Sequence, residues 1–211
     1  MKISWISHAC FKIETSKGVI IYTDPYKISS EQDKADLIIV SHSHFDHMER
    51  KSIKAVQKED TKIVGPNSIF KDLEKYNGEG LELGKRYTFF GVTIKLVPAY
   101  TVQKSTHPQA NQWAGYIIKA DNKKVYHAGD TELIPEMKEL QSENIDVALL
   151  PCGGTYTMDF QESISAALDI KPKIVIPMHN WDKDLTEFKT MLNQKDASIA
   201  VEILTDKTLE L

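Results

Sequence analysis

The sequence predicts an α/β protein, a layered αββα sandwich of two packed mixed β-sheets with helices on the outer faces. Two observations predict it. The first third of the chain is strand-rich, while the last third alternates short apolar runs with segments of helical spacing. Two halves that each mix strands with later helices close most simply by packing sheet on sheet. Side chains at the strand ends then gather along one edge. No linker-like or low-complexity stretch divides the 211 residues, so a single domain over residues 1–211 is expected.

Lys2–Ser7, Cys10–Thr15 and Val19–Thr23 are β-branched or aromatic runs, with Ser16-Lys17-Gly18 as a hairpin turn and Asp24-Pro25 closing the third. A polar loop, Lys27–Lys34, leads to a buried strand at Leu37–Val40. Met48 to Lys58 has helical spacing, Lys62–Gly65 reads as a strand and Ser68–Tyr76 as a helix. Strands follow at Arg86–Phe90, Val92–Pro98, Ala114–Ala120 and Val125–His127. They are interrupted by the long loop Ala99–Trp113, a length that in small domains often carries function. Helices at Leu133–Ser142, Gln161–Asp169 and Asp184–Asn193 alternate with strands at Val147–Leu150, Ile174–Pro177 and Ile199–Leu204.

Composition narrows the function classes. Lys plus Arg number 26 against 30 Asp plus Glu, a net charge of −4, and no long basic run is present, so nucleic acid is not expected as the main partner. Two distant cysteines, Cys10 and Cys152, with no Cys-x-x-Cys point to a reducing, cytoplasmic setting. No apolar run approaches the ~20 residues of a membrane-spanning helix, so no membrane partner is expected. A small-molecule substrate is.

All seven histidines fall in or beside segments that read as parts of one site. Ser41-His42-Ser43-His44-Phe45-Asp46-His47 follows the buried strand directly. Imidazoles and a carboxylate on one tight loop are what a divalent metal requires. Alternate residues facing one point, and the neighbour a second point nearby, suit two metals rather than one. Asp130 and His179 share that grammar, an apolar strand followed by a ligand-type side chain. His107 lies in the long loop, where an exposed imidazole is the alternative to a ligand. His127, three before Asp130, fits either a role against a ligand or substrate or a packed core histidine. His8 and Asp24 follow early strands and could line the same cleft, although Asp24-Pro25 equally suits a turn. Cys152 has no evident activating base. Trp113 and Trp181 read first as packing residues, though Trp181, two beyond His179, could form a pocket wall.

His-x-His-x-Asp-His at 42–47, a later His, Gly129-Asp130-Thr131 and a strand-end His together resemble the metallo-β-lactamase superfamily over nearly the whole chain. More narrowly, Ser7-His8-Ala9-Cys10-Phe11, Tyr126–Thr131, Leu150–Gly154 with Thr157-Met158-Asp159, and Lys171–His179 resemble small metal-dependent hydrolases related to ascorbate-6-phosphate lactonases. The resemblance implies two divalent ions, zinc foremost, with manganese or iron as options. His42, His44 and His107 would hold the first, Asp46, His47 and His179 the second, and Asp130 would bridge them. Asp46, Asp130 and His127 are the expected catalytic groups, with His8, Asp24 and Tyr156 behind the metals or beside the substrate. Where relatives often show His-Tyr, this chain reads His179-Asn180-Trp181, and Tyr156 is a substitute donor.

Two metals ~3.5–4 Å apart can share a hydroxide that attacks a carbonyl carbon or phosphorus. The expectation is a metal-dependent hydrolase of a small ester-like substrate, a lactone or a phosphorylated metabolite. Phosphodiester hydrolysis is the nearest rival. A redox diiron relative would carry Glu in place of His44 and a flavin domain. A non-catalytic metal-binding protein is the remaining alternative.

Overall fold

The computed structural model describes residues 1–211, whose strands form two seven-stranded sheets. The first sheet contains β1 (Lys2–Ser7), β2 (Cys10–Glu14), β3 (Ile20–Thr23), β4 (Leu37–Ile39), β5 (Lys62–Pro66) and β6 (Glu79–Leu81), side by side in that order. The second contains β7 (Arg86–Phe89), β8 (Val92–Pro98), β9 (Ala114–Ala120), β10 (Lys123–His127), β11 (Val147–Pro151), β12 (Ile174–Met178) and β13 (Ala200–Val201). The last strand, β14 (Thr208–Glu210), returns to the first sheet and pairs antiparallel with β1. Both sheets follow one plan. Neighbours are antiparallel from β1 to β3 and from β7 to β10, then parallel from β3 to β6 and from β10 to β13.

Side chains alternate along a strand, so a strand apolar at every position is covered on both faces. β4 shows this. Leu37 and Ile39 join the large core between the sheets, while Ile38 and Val40 join a smaller core under α1 (Arg50–Val56) and α2 (Phe70–Leu73). Ile53 and Val56 of α1 and Leu73 of α2 are wholly buried there. Each such side chain contributes about 1.5–3 kcal/mol by leaving water. On the opposite face α3 (Phe160–Ile170) and α4 (Leu185–Lys195) cover the second sheet. The start of α3 is fixed by a capping box: Glu162 N–H donates to Asp159 Oδ1 at 2.9 Å and Asp159 N–H to Glu162 Oε2 at 3.0 Å. The layers are therefore helix, sheet, sheet, helix.

Several elements depart from the sequence expectations. The helical segment expected over Leu133–Ser142 takes the 3-10 form, over Pro135–Glu143. Its buried side chains explain this: Ile134, Met137 and Leu140 recur every third residue, the period of a 3-10 helix rather than 3.6. The helix expected over Ser68–Tyr76 is split, with 3-10 turns at Asn67–Ile69 and Glu74–Tyr76 flanking α2. The closing strand expected over Ile199–Leu204 shrinks to β13, and the unexpected β14 supplies the edge pairing instead. No helix of the protein is long and apolar enough to cross a membrane.

Candidate metal centre

The loops leaving the parallel strands of both sheets meet at one edge. From the first sheet come Asp24 after β3 and His42, His44, Asp46 and His47 after β4; from the second come Asp130 after β10 and His179 after β12. Gly129 makes the crossing possible. Its φ of +64° suits glycine, and a Cβ there would press on Ala114 O at 3.0 Å and on Ser41 Cβ at 3.1 Å. Three overlapping sets of ligand-type atoms gather there, each within 4.8 Å of one another: His42, His44 and His107; His8, Asp46, His47 and His179; and Asp24, His42 and His47. Asp130 lies between the first two. One oxygen is 3.1 Å from both His107 Nε2 and His179 Nε2, and the other is 3.4 Å from His47 Nε2.

Hydrogen bonds behind the rings fix which nitrogen faces inward. Asp24 accepts from Ser41 N–H at 2.7 Å, from Ser41 Oγ–H at 2.7 Å and from His47 Nδ1–H at 2.8 Å. Because the Ser41 proton goes to Asp24, the 2.8 Å contact between Ser41 Oγ and His42 Nδ1 places the donor on His42. Both His42 and His47 thus turn Nε2, the nitrogen remote from Asp24, toward the centre. His42 Nε2 faces His44 Nδ1 at 3.0 Å, a pair of inward-turned nitrogens.

Burial, helped by the neighbouring His47 charge, holds His42 well below the ordinary histidine range, and burial beside His107 lowers His44. Burial also lowers His8, against the pull of Asp46. A lowered value favours the neutral imidazole, the form that binds a metal. Burial alone would depress His47, but Asp130 and Asp24 outweigh it and raise His47 well above its ordinary value. Burial likewise pushes Asp130 up, and His47 and His179 outweigh it to hold the carboxyl well below the usual range.

Divalent metals fit this donor set. His47 Nε2, both nitrogens of His107, His179 Nδ1, His8 Nε2 and Asp130 Oδ1 are buried with no hydrogen-bond partner. Orphaned buried polar atoms are costly, and a cation is one way to satisfy several at once. His107 is 2% exposed, so the exposed-imidazole alternative does not hold; Thr101 N–H bonds the His107 carbonyl and folds the long loop inward. His8, expected behind the metals, sits among the ligand-type atoms, its Nε2 3.3 Å from Asp46 Oδ2.

His127 requires correction as a catalytic group. Its Nε2–H donates to Ala9 O at 2.8 Å and its Nδ1 accepts from Gly129 N–H at 3.2 Å. With both nitrogens taken by backbone, it ties the two sheets together and does not line the cleft. Asp24 serves ring orientation, as its buried bonds require. Tyr156 lines the cleft, as do Phe45, Thr106 and Trp181. Two contributors were not picked out from the sequence. One is Ser41, the relay. The other is Glu132, a buried carboxylate that accepts from Val102 N–H at 2.5 Å, Gln103 N–H at 2.6 Å and Lys104 Nζ at 2.6 Å, pinning the loop that carries His107. An acid two residues past Asp130, inside an otherwise buried stretch, was the available signal for Glu132.

The cleft above the ligands has a volume of about 410 Å³ and is open to solvent. The profile of the Beta-lactamase superfamily domain matches residues 2–179. A UPF0173 metal-dependent hydrolase of Nanoarchaeum equitans is 36% identical, spanning 100% of both chains. One of Pelotomaculum thermopropionicum is 33% identical, spanning 97% of both. Among solved structures, a candidate metal-dependent hydrolase of Parabacteroides distasonis superposes with a TM-score of 0.86 at 37% identity, covering 95% of this chain and 91% of its own. A metallo hydrolase of Ignicoccus hospitalis gives 0.82 at 29%, covering 100% and 98%.

Proposed function

Since the chain belongs to the metallo-β-lactamase superfamily of metal-dependent hydrolases, we propose that it cleaves a small ester-like substrate, a lactone or phosphoester, at two divalent cations. The position of Asp130 carries this reading. A carboxylate within 3.1 Å of a histidine from each of two ligand groups supports a shared, two-ion centre. His42, His44 and His107 would hold one ion, Asp46, His47 and His179 the other, and Asp130 both. Zinc suits these nitrogen and oxygen donors, as do manganese and iron. When bound, such ions acidify water and polarise the scissile carbonyl or phosphoryl group.

The chain's own part is orientation and proton handling. Asp24 holds His47 directly and His42 through Ser41, so the ligand geometry is set before substrate arrives. Asp46 lines the cleft and lies 3.3 Å from His8 Nε2. It can take a proton from the attacking water, with the His8 ring beside it as the positioning partner of the base. Tyr156, on the cleft wall, is the candidate donor to the leaving group.

Metal analysis of the purified protein, followed by assays on γ-butyrolactone, bis-p-nitrophenyl phosphate and p-nitrophenyl phosphate, tests the reading. The expected result is two ions per chain and turnover of the lactone or a phosphoester. A protein that binds two ions yet hydrolyses none of them would favour a non-catalytic metal-binding role, and one ion or none would remove the two-ion reading.

A further inference from the structure

The cleft wall says something about the part of the substrate that does not react. Three of its nine lining residues are large aromatics with substantial exposure: Phe45 at 73%, Trp181 at 50% and Tyr156 at 44%. Such side chains are normally buried, and a group of them around a concave site marks binding. They are held in place. Tyr156 and Trp181 stand edge to face with centroids 6.0 Å apart, and Phe45 does the same against Tyr26 at 6.0 Å. The Trp181 backbone has a φ of +48°, between His179 at +50° and Asp182 at +61°. Bulky residues rarely adopt that conformation, and its persistence at a ligand site is where strain is usually found. Gly153 lets the indole settle, because a Cβ there would collide with both the Trp181 ring and the His179 carbonyl.

Charge points the same way. No Lys or Arg is among the nine lining residues, which include Asp46 and Asp130. Lys104 is held by Glu132 and Glu162, while Lys183 and Lys27 lie over the Phe160 and Tyr26 rings. A phosphate outside the reacting position would find no cationic side chain on the wall.

We propose that Phe45, Tyr156 and Trp181 form a subsite for an uncharged aryl or alkyl substituent, so that the substrate is a neutral lactone or ester with an apolar tail. This rests on the hydrolase reading above and narrows it against phosphorylated metabolites. The subsite is tested on the zinc-loaded protein by calorimetric titration with two carboxylates of the product type, butanoate and 4-phenylbutanoate. The phenyl compound is expected to bind about tenfold tighter or more, in keeping with burial of a ring against aromatic walls. Trp181→Ala and Phe45→Ala should each remove most of that preference while metal content stays at the wild-type value. Equal binding of the two acids, or a preference that survives in both variants, would overturn the subsite. Parallel assays of γ-butyrolactone, γ-phenyl-γ-butyrolactone and p-nitrophenyl phosphate separate the two readings. A preference for the phenyl acid with no turnover would sink the hydrolase alone; turnover that ignores the phenyl group would sink the subsite alone.

Discussion

Asp24 reaches two histidines at once, His47 directly and His42 through the Ser41 hydroxyl, and in both cases its negative charge keeps the proton on Nδ1. Removing it frees both rings to change tautomer. Asp24→Ala is therefore expected to weaken metal affinity by about 10–100-fold, the usual effect of losing a carboxylate behind a ligand histidine. Competition against a chromophoric chelator measures this, and affinity unchanged within a factor of two would refute the orienting role. At this scale the sequence was most informative where ligands are contiguous, because His42 to His47 lie on one loop and show their spacing directly. His127 misled for a physical reason. A histidine three residues before a ligand can face either way, and only the backbone acceptor at Ala9, 118 residues distant, decides it.

The loop Ala99–Trp113 is held from outside itself. Glu132 gathers two of its amides and Lys104, and Thr131 Oγ1–H donates to Tyr100 O at 2.9 Å. One short segment, Asp130-Thr131-Glu132, thus both reaches the ligand cluster and anchors the loop that delivers His107. Glu132→Gln cannot accept from both amides and the lysine as well as the carboxylate does, since a charged acceptor is replaced by a neutral one. It is expected to weaken the ion held by His42, His44 and His107 by tenfold or more and to leave the other ion nearly untouched. Stepwise metal titration resolves the two, and equal weakening of both would contradict the assignment. Element existence was legible from periodicity, as with β4 and α3. Helix pitch was not, as at Pro135–Glu143, where a three-residue apolar repeat gives the 3-10 form.

Each sheet contributes candidate ligands that the other lacks, so in the proposed centre a bound ion would join the two halves of the sandwich. Binding to the folded state alone adds about 2.7 kcal/mol at a hundredfold excess over Kd, which in a chain of this size raises Tm by roughly 5 °C or more. Chelation followed by scanning calorimetry should show that fall, and a Tm indifferent to metal would argue against a centre shared by both sheets. Away from the site, Glu143 accepts from Arg86, Lys95 and Lys124. The Lys95 hydrogen bond, against some burial and with help from Lys124, holds its carboxyl below the usual glutamate range. A depressed folded pKa gives stability that is full above the unfolded value near ~4.3 and is lost as pH falls through the folded value. Glu143→Gln should thus lower the urea midpoint at pH 7, and the deficit should shrink as the pH falls through the folded value of the carboxyl; a deficit unchanged down to acid pH would assign the effect to packing. The sandwich itself was readable because two successive strand-then-helix patterns left little else to build. β14 was not, since a three-residue edge strand has too little pattern to show.

The repeated plan of the two sheets has one more consequence. In the proposed assignment neither half carries a full set of ligands, so a chain nicked in the turn between β6 and β7 would regain ion binding only when its fragments recombined. Metal uptake would then count reassembled molecules, making the centre a natural split reporter.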